Sequence, residues 1–349
     1  MKRLLFILLL VFSCTSFAIS TETVKKARDA TVIVTGSEGG FGSGAVITSD
    51  GLVITNYHVI HRAEDVKIFF WDREDLNYYL ADIVGIDPVA DLALLQVNIT
   101  DTMKPLTYLE VGTELEIAEE VVAIGHPMGL QWSVTKGIIN HLERPGKITP
   151  YVNVIQHSAQ INRGNSGGPL INNDGEIVGI NTYILAPKGQ WAGVAYAVRY
   201  DTITNAVEQI LETGEVKYAA MKMGVRNMNE YFLSEMVAAY PDRKFPTNIY
   251  GLIVAEVEDD DYAHKQGIRN FDTIVALNGE PVNYLGDLKE LMKTLKPGDV
   301  VKLLIIRDGH FRKHDYTIGT IDFSVYLQWY DKSNPDRPGP TIPTPDRPD

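Results

Sequence analysis

From Ala27 to Val198 the apolar residues come in short β-branched runs broken by Gly, Asn and Asp, with almost no stretch of helical period. Runs such as Leu52 to Ile54, Leu92 to Leu95 and Val152 to Ile155, each bounded by turn-forming residues, predict a unit built from many short strands. The pattern changes at Asp201. Ile203, Val207, Ile210 and Leu211 fall on one helical face, with Asp201 or Thr202 as a cap in front and Gly214 behind, which predicts a helix that closes the unit. Strands return at Gly251 to Val257, Asp272 to Val282 and Val300 to Arg307, with a helix over Tyr284 to Lys293. Asn334 to Asp349 sets prolines among polar residues and carries too little apolar surface to order itself.

The first residues follow a different logic. Lys2-Arg3, the apolar run Leu4 to Phe12 and Ser16-Phe17-Ala18 match the charged, apolar and small-x-small segments of a secretory signal peptide. Cleavage after Ala18 removes two cations and no acid, taking the formal charge from −13 to −15. Cys14 is the one cysteine, so export leaves no disulfide. The alternative is a lipid anchor on Cys14, since Val11-Phe12-Ser13-Cys14 loosely follows a lipobox. These features predict a periplasmic or secreted protein. At 349 residues, 45% apolar and 22% charged, the chain has room for two or three packed domains. Its acidity excludes a general nucleic-acid role, which needs clustered Lys and Arg.

Asn162-Arg163-Gly164-Asn165-Ser166-Gly167-Gly168-Pro169 wraps one serine in glycines between apolar runs. Glycines let the chain turn sharply and let a substrate carbonyl approach the backbone, so Ser166 is a candidate nucleophile. The N–H groups of Gly164 and Ser166, with Asn165 between them, form a candidate oxyanion hole. A serine needs a base and a carboxylate to orient it. His58 ends the run Leu52 to Asn56, and Asp91 stands directly before Leu92-Ala93-Leu94-Leu95, ahead of its competitors Asp82, Asp87 and Asp101. The order His, Asp, Ser is that of a chymotrypsin-type fold. The α/β-hydrolase elbow, which Gly164-x-Ser166-x-Gly168 also fits, needs its acid and histidine after the serine. His61, His126, His141 and His157 lack metal-ligand spacing and are expected in surface or turn roles, and no metal or cofactor is implied.

With Gly42-Ser43-Gly44, Thr55 to Val59, Asp91 to Ala93, Ala123 to Gly129, Gln156 to Leu170, Gly175 to Thr182 and Val194 to Val198 in this order, the chain resembles the HtrA/Deg family of trypsin-fold serine proteases. It departs at Ser158, Ala195 and Arg199, where that family usually has Asp, Gly and Pro. The resemblance implies a mainly β fold: a chymotrypsin-like double β-barrel followed by a PDZ domain. The expected organisation is a signal peptide at 1–18, a protease domain at 19–217, a PDZ domain at 218–328 and a Pro-rich tail at 329–349. Gln160, Ile161, Asn162, Val194, Ala195 and Tyr196 are expected to line a pocket for a small apolar side chain. Ile180, Asn181 and Thr182 are expected to pair with substrate.

In the PDZ region, Met223, Gly224, Val225 and Arg226 stand at the carboxylate-binding loop and peptide-pairing strand, and Leu288 on the groove helix. Phe271 replaces a usual glycine, and Asn227 to Asn248 is longer than a minimal PDZ loop. The expected partners are unfolded or misfolded proteins and peptides with apolar C-termini, bound by strand addition. The resemblance also implies a homotrimer through the N-terminal segment, although Ile19 to Asp29 carries no aromatic residue. The implied activity is endopeptidase cleavage of damaged envelope proteins. The alternatives are a non-catalytic PDZ adaptor or holdase on a protease scaffold, and a narrow regulatory processing protease.

Overall fold

In a computed structural model, residues 19–37, 39–71, 78–99, 105–127, 132–145, 152–184, 193–228, 230–245, 250–257 and 261–320 are described. The signal segment with Cys14, Asp101, Trp191 and the Pro-rich tail lie outside them. The chain divides into two compact units, the first running to Val216 and the second beginning at Lys217.

The first unit opens with helix α1, Thr21–Asp29, capped by the Ser20 hydroxyl on Thr23 N–H. Six antiparallel strands then close a barrel: β1 (Thr31–Gly36), β2 (Phe41–Val46), β3 (Leu52–Thr55), β4 (Val66–Phe69), β5 (Tyr79–Asp87) and β6 (Leu92–Val97), in the order β1-β2-β3-β6-β5-β4. One helical turn, α2 (Tyr57–Ile60), interrupts them after β3. Closure removes exposed sheet edges, and Val32, Val34, Val53, Ile68 and Leu95 fill the interior.

A second barrel repeats this closure with β7 (Glu120–Gly125), β8 (Ser133–Pro145), β9 (Asn153–His157), β10 (Pro169–Ile171), β11 (Ile177–Ile184) and β12 (Ala195–Arg199). Its core holds Val121, Ile139, Ile155, Leu170 and Val178. The double barrel that the strand pattern and the resemblance predict is the observed architecture. Helix α3, Tyr200–Thr213, ends at Gly214 in the left-handed region (φ 78°) and packs against strands of both barrels. Its buried face is Ile203, Ala206 and Ile210, while Leu211 is exposed, so the expected stripe is rotated by about one position. The N-cap is Arg199 rather than Asp201 or Thr202. Asp201 instead receives the Arg199 guanidinium, which also pairs with Glu143 at 2.7 Å, so a departure from the resemblance has become an ion-paired staple.

The second unit has β13 (Ala219–Ala220), β14 (Gly224–Asn227), α4 (Glu230–Ala239), β15 (Leu252–Glu256), α5 (Tyr262–Lys265), β16 (Thr273–Leu277), β17 (Glu280–Pro281), α6 (Leu285–Met292), β18 (Val300–Arg307), β19 (His310–Thr317) and β20 (Gly319–Thr320). Its main sheet runs β14-β15-β16-β18-β19, which leaves β14 as an edge strand. Val254, Ile274, Leu303, Ile305 and Tyr316 form the core. The long connection after Asn227 is expected as loop, yet it folds into α4.

Candidate active site

His58 is set by its neighbours on α2. Asn56 Nδ2 and Tyr57 N–H both donate to the Asp91 carbonyl, at 2.8 and 3.1 Å, and pin the start of α2 to the mouth of β6. The Asp91 carboxylate then takes the His58 backbone N–H at 3.0 Å on Oδ1 and His58 Nδ1 at 2.8 Å on Oδ2. Asp91 has a positive φ of 58°, a conformation that non-glycine residues adopt at a cost of order 1–3 kcal/mol. Fully buried Asp87 supports that turn by accepting the N–H groups of Val89 and Ala90, so this competitor for the acid role is structural.

Burial alone would lower the His58 pKa, but the charge of Asp91 and its hydrogen bond outweigh that and hold it above the usual histidine value. The ring stays about one-third exposed while Asp91 is 4% exposed, so the carboxylate is sheltered behind an accessible imidazole.

Ser166 belongs to the turn entering β10. Ser43 of β2 ties this turn to the first barrel: its N–H donates to Ser166 O and its Oγ to Gly164 O, both at 2.8 Å, and that Oγ accepts His126 N–H at 3.0 Å. Gly164 and Gly167 both have positive φ, and a Cβ would lie 2.2 Å from His126 O in one and 2.1 Å from Ser43 O in the other. The chain can pass here only as glycine.

Among the described residues, the N–H groups of Gly164 and Ser166 make no hydrogen bond, whereas Asn165 N–H is spent on Asn162 O at 3.0 Å. The two outer residues thus keep free donors. Asn165 does not, which corrects its expected place in the oxyanion hole.

Thr182 connects the two sides of the site. Its hydroxyl donates to Asp91 Oδ2 at 2.7 Å, and its carbonyl accepts Ser166 Oγ at 3.0 Å. Among the described residues no hydrogen bond joins Ser166 Oγ to His58.

The expected pocket residues separate into two groups. Ile161 and Ala195 are buried with the second barrel's core, and Gln160, Asn162, Val194 and Tyr196 keep exposed surface, Tyr196 stacking on Tyr183 at 4.8 Å. Ile180 and Asn181, by contrast, cannot pair with substrate. Ile180 is in register with Pro169 on one side and Val198 on the other, and Asn181 uses its N–H on Gly168 O and its C=O on Gly167 N–H. Asn181 Nδ2 further holds Gly168 O and Pro169 O at 3.0 and 3.1 Å, making it a clamp under the Ser166 turn. Thr182 alone of the three stands at the rim, where a shift in register toward Tyr183 begins.

Two histidines also depart from expectation. His126 is 6% exposed and packs against Phe41 and Trp132, and burial lowers its pKa. His157 is fully buried on β9, and burial pushes its imidazole down to about 3 despite the Asn181 amide beside it. Neither is a surface residue, and His157 lies within a strand rather than a turn.

In the second unit, the edge strand carries Gly224, Val225 and Arg226, with Met223 just before it, and α6 packs alongside. Leu288 lies in the unit's core at 5% exposure rather than open on a groove. Asn227 Oδ1 accepts Leu285 N–H at 2.7 Å, and the Arg226 guanidinium lies over the Phe232 ring of α4.

The trypsin-like peptidase domain family matches residues 42–180, and the PDZ domain family matches residues 222–317. A probable periplasmic serine endoprotease DegP-like from Pseudomonas putida (strain W619) is 37% identical over 280 residues, covering 80% of this chain and 56% of that protein. The chain thus spans a little over half the length of the curated relatives it matches. The crystal structure of the serine endoprotease from Yersinia pestis is 27% identical, covers 88% of this chain and 99% of its own, and superposes with a TM-score of 0.68. The HtrA-type protease AlgW with tripeptide is 25% identical over 88% of this chain and 98% of its own, with a TM-score of 0.73. With both domains matched in order on two closed barrels and a PDZ sheet, the chain belongs to the HtrA/Deg family.

Proposed function

We propose that this protein is a serine endopeptidase of the cell envelope that cleaves unfolded or damaged proteins, with Ser166 as nucleophile, His58 as base and Asp91 as the group that orients it. The observation that carries this reading is the chain of contacts from Ser166 through Thr182 to Asp91 and His58. A hydroxyl resting on a carbonyl, an accessible imidazole, a sheltered carboxylate and the two unspent backbone N–H groups of Gly164 and Ser166 are the groups that support it. The periplasmic naming of the relatives supports the location.

The chemistry follows from these groups. Ser166 Oγ leaves the Thr182 carbonyl by rotating about χ1, gives its proton to His58 Nε2 and attacks the scissile carbonyl. Asp91 keeps the Nδ1–H tautomer and stabilises the imidazolium. Negative charge on the former carbonyl oxygen falls on Gly164 and Ser166 N–H, the interaction that strengthens most in the transition state. His58 then protonates the leaving amine, and a water molecule, deprotonated by His58, releases the acyl group. Thr182 and the residues after it offer backbone to an extended substrate. Ile161 and Ala195 leave space for a small apolar side chain before the cut.

The PDZ unit supplies recognition. An apolar C-terminal peptide adds as a strand to β14, whose outer edge is unpaired within the sheet, and side chains on α6 select its last residue. A cleavage map on an unfolded protein, read by mass spectrometry beside Ser166→Ala, tests the assignment. Cuts after Val, Ala or Ile that vanish in the variant support it, and cuts dominated by Lys, Arg or Phe contradict the pocket.

A further inference from the structure

Two departures from the family pattern, the insertion after Asn227 and the phenylalanine at 271, meet at one place in the second unit. A cavity of about 310 Å³ opens there between the end of the insertion, the segment after α5 and the turn joining β18 to β19. Phe271 is its hub: the Arg243 guanidinium lies 4.6 Å above its ring, Tyr240 packs on it at 4.6 Å, and Phe245 meets it edge-on at 6.1 Å. Its φ of 74° is a left-handed conformation that favours glycine, so an aromatic ring is held there against the backbone's own preference. Strain of this kind concentrates at sites that bind something.

The wall is basic in a chain whose net charge is −13. Among the described residues, Arg243, Lys244, Arg269 and Arg307 line it, and Asp308 is the lining carboxylate. Arg307 is already committed, gripping fully buried Asp272 through Nε at 2.6 Å and a terminal nitrogen at 2.7 Å. Among the described residues, Arg243, Lys244 and Arg269 form no ion pair. Arg269 is nonetheless held in place, since one terminal nitrogen donates to the carbonyls of His264 and Ile268 at 2.7 and 2.8 Å, and the rest of its fork stays available. The field reaches His314, which burial first and then Arg307, Arg312 and Arg269 hold below the usual histidine pKa, against the opposing pull of Asp272.

From this geometry we propose that the cavity is a binding site for a small phosphomonoester, with the phosphoryl group on Arg243, Lys244 and Arg269 and an apolar or ring portion against Phe245 and Phe271. Three reasons select that class. Among the described lining residues the uncommitted cations exceed Asp308 by two charges, which suits a group carrying about −1.5 to −2 at neutral pH better than a single carboxylate. Guanidinium forks match phosphoryl oxygens bidentately. The volume sits at the small end of ligand pockets, which fits a monomeric metabolite or one lipid headgroup rather than a polymer. The site is separate from peptide hydrolysis and does not depend on it.

The test uses the full chain carrying Ser166→Ala, titrated calorimetrically with phenyl phosphate, inorganic phosphate and benzoate, and floated with vesicles containing phosphatidic acid. Phenyl phosphate should bind saturably and at least about tenfold more tightly than benzoate, the scale of one charge-assisted hydrogen bond. Arg243→Gln with Lys244→Glu, both on exposed side chains, should weaken it by about tenfold or more, and Arg269→Gln should do so independently. Phe271→Gly, which relieves the backbone, should erase the preference for phenyl phosphate over inorganic phosphate. Vesicle binding that needs Lys244 and is competed by phenyl phosphate identifies a lipid headgroup as the source, and binding of the soluble compound alone identifies a free metabolite. No saturable binding in the millimolar range, equal affinity for benzoate, or affinity unchanged in the charge variants would overturn the proposal.

Discussion

Thr182 Oγ1 donates to Asp91 Oδ2 at 2.7 Å, on the same oxygen that faces His58 Nδ1. A residue of the second barrel thereby fixes a carboxylate of the first, while its own carbonyl holds the resting Ser166 hydroxyl. Thr182→Val removes the donor and keeps the shape. A hydrogen bond to a charged group contributes about 1.5–3 kcal/mol, so kcat/KM for a peptide should fall roughly 10- to 100-fold, with Thr182→Ser restoring most of it.

Residues acting as one unit should fail as one unit. Ser166→Ala or His58→Ala should each remove nearly all turnover, on the order of a million-fold, and leave thermal unfolding near wild type. Asp91→Asn should cost on the order of ten thousand-fold, by favouring the wrong tautomer. Single-turnover assays on a purified fluorogenic peptide provide the measurement.

The acid limb of the pH–rate profile should report His58. The neutral ring is the active base, and Asp91 raises its pKa against the effect of burial, so kcat/KM should begin to fall at a pH above the ordinary histidine value. Asp91→Asn should move that limb to lower pH. A limb unmoved by the substitution would show that another group controls it.

His157 should set part of the acid stability. Its pKa is pushed down to about 3 in the fold, so between the ordinary value near 6.5 and 3 the unfolded chain takes up a proton that the native protein refuses. The stability from the neutral ring is fully present above pH 6.5 and falls as pH drops, by about 1.4 kcal/mol per pH unit. Urea unfolding of the Ser166→Ala chain at pH 7, 6 and 5, against the same chain with His157→Gln, should show the slope reduced by about that amount.

The barrels were legible because strand runs and turn residues are local signals, and His58, Asp91 and Ser166 stand out as candidates because each sits beside its own apolar run. Other features arise from register. Nothing near Thr182 indicates that its hydroxyl meets a carboxylate ninety-one positions away, or that Asn181 spends its backbone under the Ser166 turn. Helix α4 was hidden because its apolar residues spread around the axis instead of marking one face, the burial of His157 because a polar residue inside an apolar strand reads as an outward position, and that of His126 because it follows β7 in a connecting segment, where a polar residue reads as exposed. Ser43 lies within the motif Gly42-Ser43-Gly44, but its three hydrogen bonds to the Ser166 turn and His126 appear only when the barrels meet.

The most direct test of the central claim is covalent. A fluorophosphonate incubated with the folded full chain should modify Ser166, as read by peptide mass spectrometry, and the adduct should disappear in His58→Ala, because an unassisted serine hydroxyl is a poor nucleophile at neutral pH. An unlabelled Ser166 in a wild-type sample that still hydrolyses peptide, or equal labelling with and without His58, would contradict the account.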